Sequence, residues 1–311
     1  MFARLFCVSL ALTLVSLARG AAADETAIPS IGPTGEIVKL HTGFGFTEGP
    51  AADAEGNVYF SDVPNSRVSK VDANGKLSVF RDPSNHTNGI MVNAAGELVC
   101  CEMDGRVSIV ARDGKTVRPL AETYEGKRFN APNDLVVDRS GGVYFTDPQF
   151  RAPPSLPQGV TAVYYVTADG KVSRLIDDLK APNGVILSPD EKTLYVVPSM
   201  QEEMMAYPVE APGKLGKGRV FCRTKQAEGK QGTGGDGLTI DEKGNLYIAT
   251  ALGLQVFSAK GKALGIIEFP EPPANATFGG KDRKTLYVTA RTSLYTAPME
   301  VAGHVFPGGK K

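Results

Sequence analysis

The sequence predicts an all-β chain folded as a six-bladed β-propeller with four-stranded blades. Three observations carry that expectation. Six short β-forming runs open at Val58, Leu98, Val143, Leu194, Leu246 and Leu286, and a period of 40 to 50 residues with several strands per unit marks a propeller or array. A polar residue stands 10 or 11 positions before each run: Glu48, Asn88, Asn133, Asn183, Asp236 and Asn275, at steps of 40, 45, 50, 53 and 39 residues. Beyond the N-terminal segment there is no 3.6-residue apolar periodicity of the kind a helix needs.

Each unit reads as four strands. In the first, strands are expected over 49–53, 58–62, 68–72 and 77–80, with hairpin turns at Ala54-Glu55-Gly56-Asn57 and Ala73-Asn74-Gly75-Lys76. Asn and Gly accept positive φ at low cost, as tight hairpins require. The second turn returns at Asp113-Gly114-Lys115, Asp169-Gly170-Lys171 and Lys260-Gly261-Lys262. The sixth unit is one strand short after 294–299. Residues 36–41 form an unassigned strand near the start of the domain, which is expected to complete the last blade and close the ring. The propeller is placed at 36–302, with a flexible segment over 24–35 and a polar tail over 303–311.

The first 23 residues read as a signal peptide. Arg4 precedes an apolar stretch over 5–17, and Ala21-Ala22-Ala23 offers a small-residue cleavage site. The chain is therefore expected to be exported, to the periplasm or beyond, with no membrane partner after cleavage. Of 311 residues, 34 are basic and 34 acidic, and that balance argues against a nucleic-acid partner. A monomer is expected. Beyond the signal segment only Cys100, Cys101 and Cys222 remain, an odd set without zinc-motif spacing. Adjacent strand residues face opposite ways, so one of Cys100 and Cys101 at most is expected in the core. A bond from Cys222 to one of that pair is left open.

Topology locates the site. An inner strand starting at the polar residue runs away from it and the next strand returns. The loops entering each blade and those joining its second and third strands therefore share one face. The longest are 119–132, 147–161 and the glycine-rich 223–235, and long loops gathered on a rigid scaffold are where binding is usually found. Residues 152–157 are rich in proline and would form a stiff wall or lid. Two carboxylates, Glu48 and Asp236, with up to four amides around one axis make a cage of hard oxygens. Such a cage suits calcium, which takes six to eight oxygen ligands. Capping of strand starts by Asn would need no ion, but two buried carboxylates on one axis would repel each other without a cation. The three histidines, His41, His86 and His304, lack ligand spacing for zinc. Asp62 and Asp147, at second-strand ends on the same side, offer a second ion position.

At these residues the sequence resembles the gluconolactonase family that includes senescence marker protein (regucalcin). The resemblance rests on Phe46-Thr47-Glu48-Gly49-Pro50, Ala131-Pro132-Asn133-Asp134-Leu135, Ala181-Pro182-Asn183-Gly184-Val185, Gly234-Gly235-Asp236-Gly237-Leu238 and Phe278-Gly279-Gly280. It covers essentially the whole chain after the signal segment and extends to the calcium-dependent paraoxonase-like propellers. It implies a divalent metal, calcium first and Mg2+, Mn2+ or Zn2+ as other options, held by Glu48, Asn133, Asn183 and Asp236. It further implies hydrolysis of a lactone through carbonyl polarisation and water attack, with Asp236 as base as well as ligand. Asn88, Asn133 and Asn275 are expected to orient the substrate, and His86 to serve as a proton shuttle. Animal members carry Arg where this chain has Ala131, and Glu near Arg151; Arg128 is the expected substitute substrate contact. Two other readings stay open: a non-catalytic, metal-stabilised binding propeller, and a phosphotriesterase or other esterase using the same site.

Overall fold

The structure, a computed structural model, describes residues 27–229 and 231–309. The expected signal segment, 1–23, lies outside the described residues. Six antiparallel sheets follow one another around a ring. The first blade is Thr47–Ala52, Val58–Asp62, Arg67–Val71 and Leu77–Arg81, within two residues of the expected bounds at every strand. The next four blades open on Thr87–Val92, Leu135–Val137, Pro182–Leu187 and Leu238–Ile240. The last runs from Pro273–Gly279 through Thr285–Ala290 to Ser293–Pro298, and Val38–Thr42 supplies its outer strand. The two ends of the ring are thus joined by backbone hydrogen bonds, as the unassigned strand at 36–41 implied.

A recurring polar turn explains why the hairpins between first and second strands form. Asp53, Asn93, Asp138 and Asp241 each accept two backbone N–H bonds across the turn that follows them, from residues two and four positions on. In three of the blades the same carboxylate also receives a tyrosine hydroxyl, from Tyr59, Tyr165 and Tyr247. Asx-type bonds of this kind pre-form the turn from local sequence.

Packing between blades corrects the expectation for the cysteine pair. Cys100 and Cys101 are both fully buried, in two different apolar clusters. In a propeller each sheet is covered on both faces by its neighbours, so strand alternation does not expose one side. Both are free thiols, as is buried Cys222. Burial pushes the thiols of Cys100 and Cys222 up to about 12 and that of Cys101 well above the ordinary value.

The two ends also depart from expectation. Within the segment expected to be flexible, Ile28 and Ile31 are buried against the last two blades, and the Ile31 carbonyl accepts from the Glu300 N–H at 3.0 Å. The C-terminal segment is not a free tail either. Gly303 bridges to Asp241, the His304 N–H donates to the Ile240 carbonyl, and a 3-10 turn follows over Pro307–Gly309. Apolar Ile and Phe side chains at each end find unfilled grooves between blades, and that burial outweighs the ordering entropy. No helix among the described residues is long and apolar enough to cross a membrane.

Two outcomes follow from this packing. Ile31→Ala should destabilise the domain by about 2–4 kcal/mol, and deleting residues 27–42 should abolish cooperative unfolding, both read by denaturant titration. The three thiols should resist a thiol reagent at pH 8 until the protein is unfolded, and then all react.

Candidate metal centre

The six in-phase residues stand at or just before the inner strands, and local backbone irregularity aims them. Register shifts follow Glu48 in the first blade, span Asn88 and Asn183 in the second and fourth, and precede Asn275 in the sixth. Bulges turn a side chain out of the sheet plane at such places. The residue after the polar one is glycine in four blades, because the next inner strand comes too close for a side chain. A Cβ on Gly49 would lie 2.0 Å from the Asn88 carbonyl oxygen, and one on Gly237 would lie 2.0 Å from Asn275. Backbone bonds join neighbouring blades there: Gly89 N–H to Asn133 O at 2.7 Å and Gly184 N–H to Asp236 O at 3.1 Å.

Glu48, Asn88, Asn133, Asn183 and Asp236 converge on a cavity of about 500 Å³ on the expected face. Its rim is built from Phe46, Val63, Met103, Phe150, Pro272 and Pro273, with Arg151 and Arg291. Hydrogen bonds fix several of the inner groups. Asn183 Nδ2 donates to Asp236 Oδ1 at 2.6 Å and to Ser199 Oγ at 3.0 Å, and Ser199 donates on to the Gly235 carbonyl at 2.9 Å. With both amide protons committed, the Asn183 oxygen is left free to accept or to ligate. The Asn133 side chain has no hydrogen-bond partner among the described residues, so its oxygen is free as well. Asn88 directs its amide nitrogen towards Met103 Sδ at 3.7 Å.

Four expectations are corrected by this geometry. Asn275 does not face the substrate side. Its oxygen accepts its neighbour Ala276's N–H at 2.8 Å, and its nitrogen donates to Asp134 at 3.4 Å. It lines a separate chamber on the opposite end of the axis, closed by the C-terminal segment. Arg128 does not line the cavity; its guanidinium donates to the carbonyls of Phe129 and Asn130. His86 is not among the lining residues; it stands behind Arg151 and is held on both sides, Nδ1 at 3.0 Å from Asp104 and Nε2 at 2.8 Å from Arg151 Nη2. Arginine can only donate, so Nε2 is the acceptor and cannot pass a proton while that contact lasts. Asp62 and Asp147 serve as loop staples, accepting the N–H groups of Gly45 and Phe46 and of Asn130 and Ala131.

Asp134 and Arg291 are site features that the sequence reading did not single out. Asp134 stood inside a quoted motif next to Asn133, but it is neither glycine nor in phase, and only the closed ring shows it beside Asn275. Arg291 lies in a hairpin turn with no local signal.

The donors suit a hard divalent cation. Burial raises the Glu48 carboxyl well above the ordinary range, with Asp236 and Asp134 adding repulsion. Burial likewise lifts Asp236 to about 6 and Asp134 to about 7. Among the described residues no group of three or more His, Cys, Asp and Glu could hold an ion. A site here must therefore draw on amide oxygens alongside Glu48 and Asp236, which favours calcium-like over zinc-like ions.

The sign of the pH effect follows. All three carboxyls are easier to protonate in the folded than in the unfolded protein, so their contribution is fully present below about pH 4 and is lost as pH rises through 6 to 7. Each costs about 1.4 kcal/mol per pH unit across its window. A bound cation reverses this by holding the ionised forms. Calcium added to chelator-treated protein should raise Tm more at pH 7.5 than at pH 5, and Asp236→Asn should flatten that difference. An equal calcium shift at both pH values would contradict the assignment.

Comparison with known proteins agrees with the sequence resemblance. The model of the SMP-30/gluconolactonase/LRE-like region matches residues 46–292. A gluconolactonase from Zymomonas mobilis is 32% identical, over 79% of this chain and 76% of that protein. The lactonase drp35 of Staphylococcus haemolyticus is 28% identical, over 72% and 69%. Among solved structures, a gluconolactonase from Xanthomonas campestris superposes with a TM-score of 0.78 at 32% identity, covering 85% of this chain and 89% of that one. A calcium-binding regucalcin from Agrobacterium tumefaciens shares the fold, with a TM-score of 0.74 at 23% identity over 88% and 97%. With its inner residues in register around one axis, the chain belongs to the SMP-30/gluconolactonase/LRE-like family.

Proposed function

We propose that this protein is a divalent-metal-dependent lactonase that opens a small lactone ring by hydrolysis, and that it acts after export. One observation carries the reading: two carboxylates and two amides with free oxygens meet at the floor of a cavity sized for a small molecule. Blade packing alone does not require that set. The names of the relatives, gluconolactonase and lactonase, support the substrate class. The export proposal rests on the N-terminal segment.

Glu48, Asn133, Asn183 and Asp236 would hold the cation. When bound, it would supply Lewis-acid polarisation of the ester carbonyl. The chain's own groups do the rest. Asn183, itself held by Ser199, fixes the Asp236 carboxyl, and Asp236 takes the proton released when water attacks. Asn88 and Asn133 present amides to the ring oxygens. Phe46, Phe150, Pro272 and Pro273 exclude bulk water from the rim, which strengthens each polar contact inside. A non-catalytic binding propeller would keep the metal and lack the chemistry.

Metal analysis of undialysed protein and a pH-indicator assay over a lactone and ester panel test the proposal together. Glu48→Ala and Asp236→Ala should lose both metal and activity, the latter by at least about a thousandfold. Ser199→Ala should keep the metal and lose about tenfold, as for groups that orient ligands. Metal retained with no hydrolysis of any ester would favour the binding module. A protein that neither carries nor takes up a divalent ion would end both readings.

A further inference from the structure

Two arginines line the cavity, and they differ in how they are held. Arg151 is engaged: its Nη2 donates to His86 at 2.8 Å and its Nε lies 3.8 Å from Asp104. Arg291 makes no ion pair and no side-chain hydrogen bond among the described residues. Its guanidinium lies over the Phe46 ring, 5.7 Å from the centroid. A ring face holds a cation in place without neutralising it.

The backbone at Arg291 is unusual for such a residue. It sits in the turn between Thr285–Ala290 and Ser293–Pro298 with φ of 49°, in the left-handed region that disfavours side chains. The equivalent turns of the first two blades place Ser66 and Gly105 at positive φ. The Arg291 carbonyl accepts both the N–H and the hydroxyl of Thr47, at 2.8 and 3.2 Å, next to Glu48. A long cation is thus mounted on a fixed, strained turn beside the metal-binding floor. Nine non-glycine residues among those described adopt positive φ, Arg283 among them, so it is the placement of the Arg291 side chain at the cavity, not the backbone strain, that bears on function.

Charge balance says what the cation is for. Glu48 and Asp236 offset a divalent ion, and Asp104 offsets Arg151. Arg291 acts on Asp236 through space without a hydrogen bond or ion pair to it, so a cation that takes up Asp236 leaves the guanidinium open in a rim that is otherwise largely apolar. We propose that Arg291 is a specificity-determining residue that binds a free carboxylate on the substrate, so that the preferred substrates are monolactones of sugar diacids. A guanidinium matches the two oxygens of a carboxylate with two parallel bonds. The proposal rests on the lactonase reading and extends it to a substrate class.

The test compares D-glucaro-1,4-lactone, which carries a free carboxylate, with neutral D-glucono-1,4-lactone on the calcium-loaded protein. Binding of glucarate to the wild type and to Arg291→Gln is measured in parallel by calorimetry. The wild type should favour the glucarolactone in kcat/KM by about ten- to a hundredfold, the range of one charged hydrogen-bonded pair. Arg291→Gln should erase that preference through KM with kcat little changed, Arg291→Lys should restore part of it, and added salt should weaken it. Hydrolysis of the neutral lactone with no preference for the acidic one would overturn the proposal while the lactonase reading stands. If neither lactone is hydrolysed, the lactonase reading falls for these substrates and the calorimetry still decides: equal glucarate affinity in the wild type and in Arg291→Gln overturns the role of Arg291.

Discussion

The close approach of inner strands around the axis is the constraint on which the rest depends. Six strands can surround one axis only if their backbones nearly touch, and at Gly49, Gly89, Gly184 and Gly237 the neighbouring chain fills the space of a side chain. That proximity lets inter-blade N–H to carbonyl bonds form. It also forces the residues just before those glycines into one small volume. Glu48 and Asp236 stand far apart in sequence and share an environment that disfavours charge on both. Stability and site chemistry are therefore set by the same contact.

Hydroxyl and carboxyl groups outside the axis keep this arrangement rigid. Ser61 and Thr146 on second strands donate to the Asn88 and Asn183 carbonyls of the following blade. They lock the backbone that carries the site residues. At the ends of the second strands, Asp62 and Asp147 hold entry loops, while buried Glu102 binds Arg81, Asn85, Arg106 and Ser108. Those interactions keep Glu102 ionised despite its burial. The carboxylates of this protein thus divide by partner. Those paired with arginine or holding loops build the platform, and those on the axis receive only neutral donors and suit a cation.

Much of the site was legible because a closed repeat converts spacing into position. Glu48, Asn88, Asn133, Asn183 and Asp236 were found by phase alone, and they do line one cavity. Phase failed for Asn275, which has the right spacing but directs its amide to Asp134 behind the site. Its neighbour's N–H and the Asp134 carboxyl compete for it, and neither is visible from spacing. Arg128 was expected as the substitute for the arginine that animal family members carry at the position of Ala131, yet nearby backbone carbonyls hold its guanidinium. Arg151 and Arg291 reach the cavity from second-to-third-strand turns, where sequence carries no periodic signal.

The sequence by itself determined the number of blades, the turn chemistry, the strand that closes the ring and the face that carries the site. Each follows from local rules: hairpin residues, strand alternation and a fixed period. The tertiary structure alone decided that Cys100 and Cys101 are both buried, that residues 27–35 and 303–309 are docked, and which polar groups are left without partners. Those outcomes depend on blades covering both faces of each sheet and on contacts between residues more than a hundred positions apart. Local sequence cannot express such contacts, because the partner that decides each one arrives only when the ring closes.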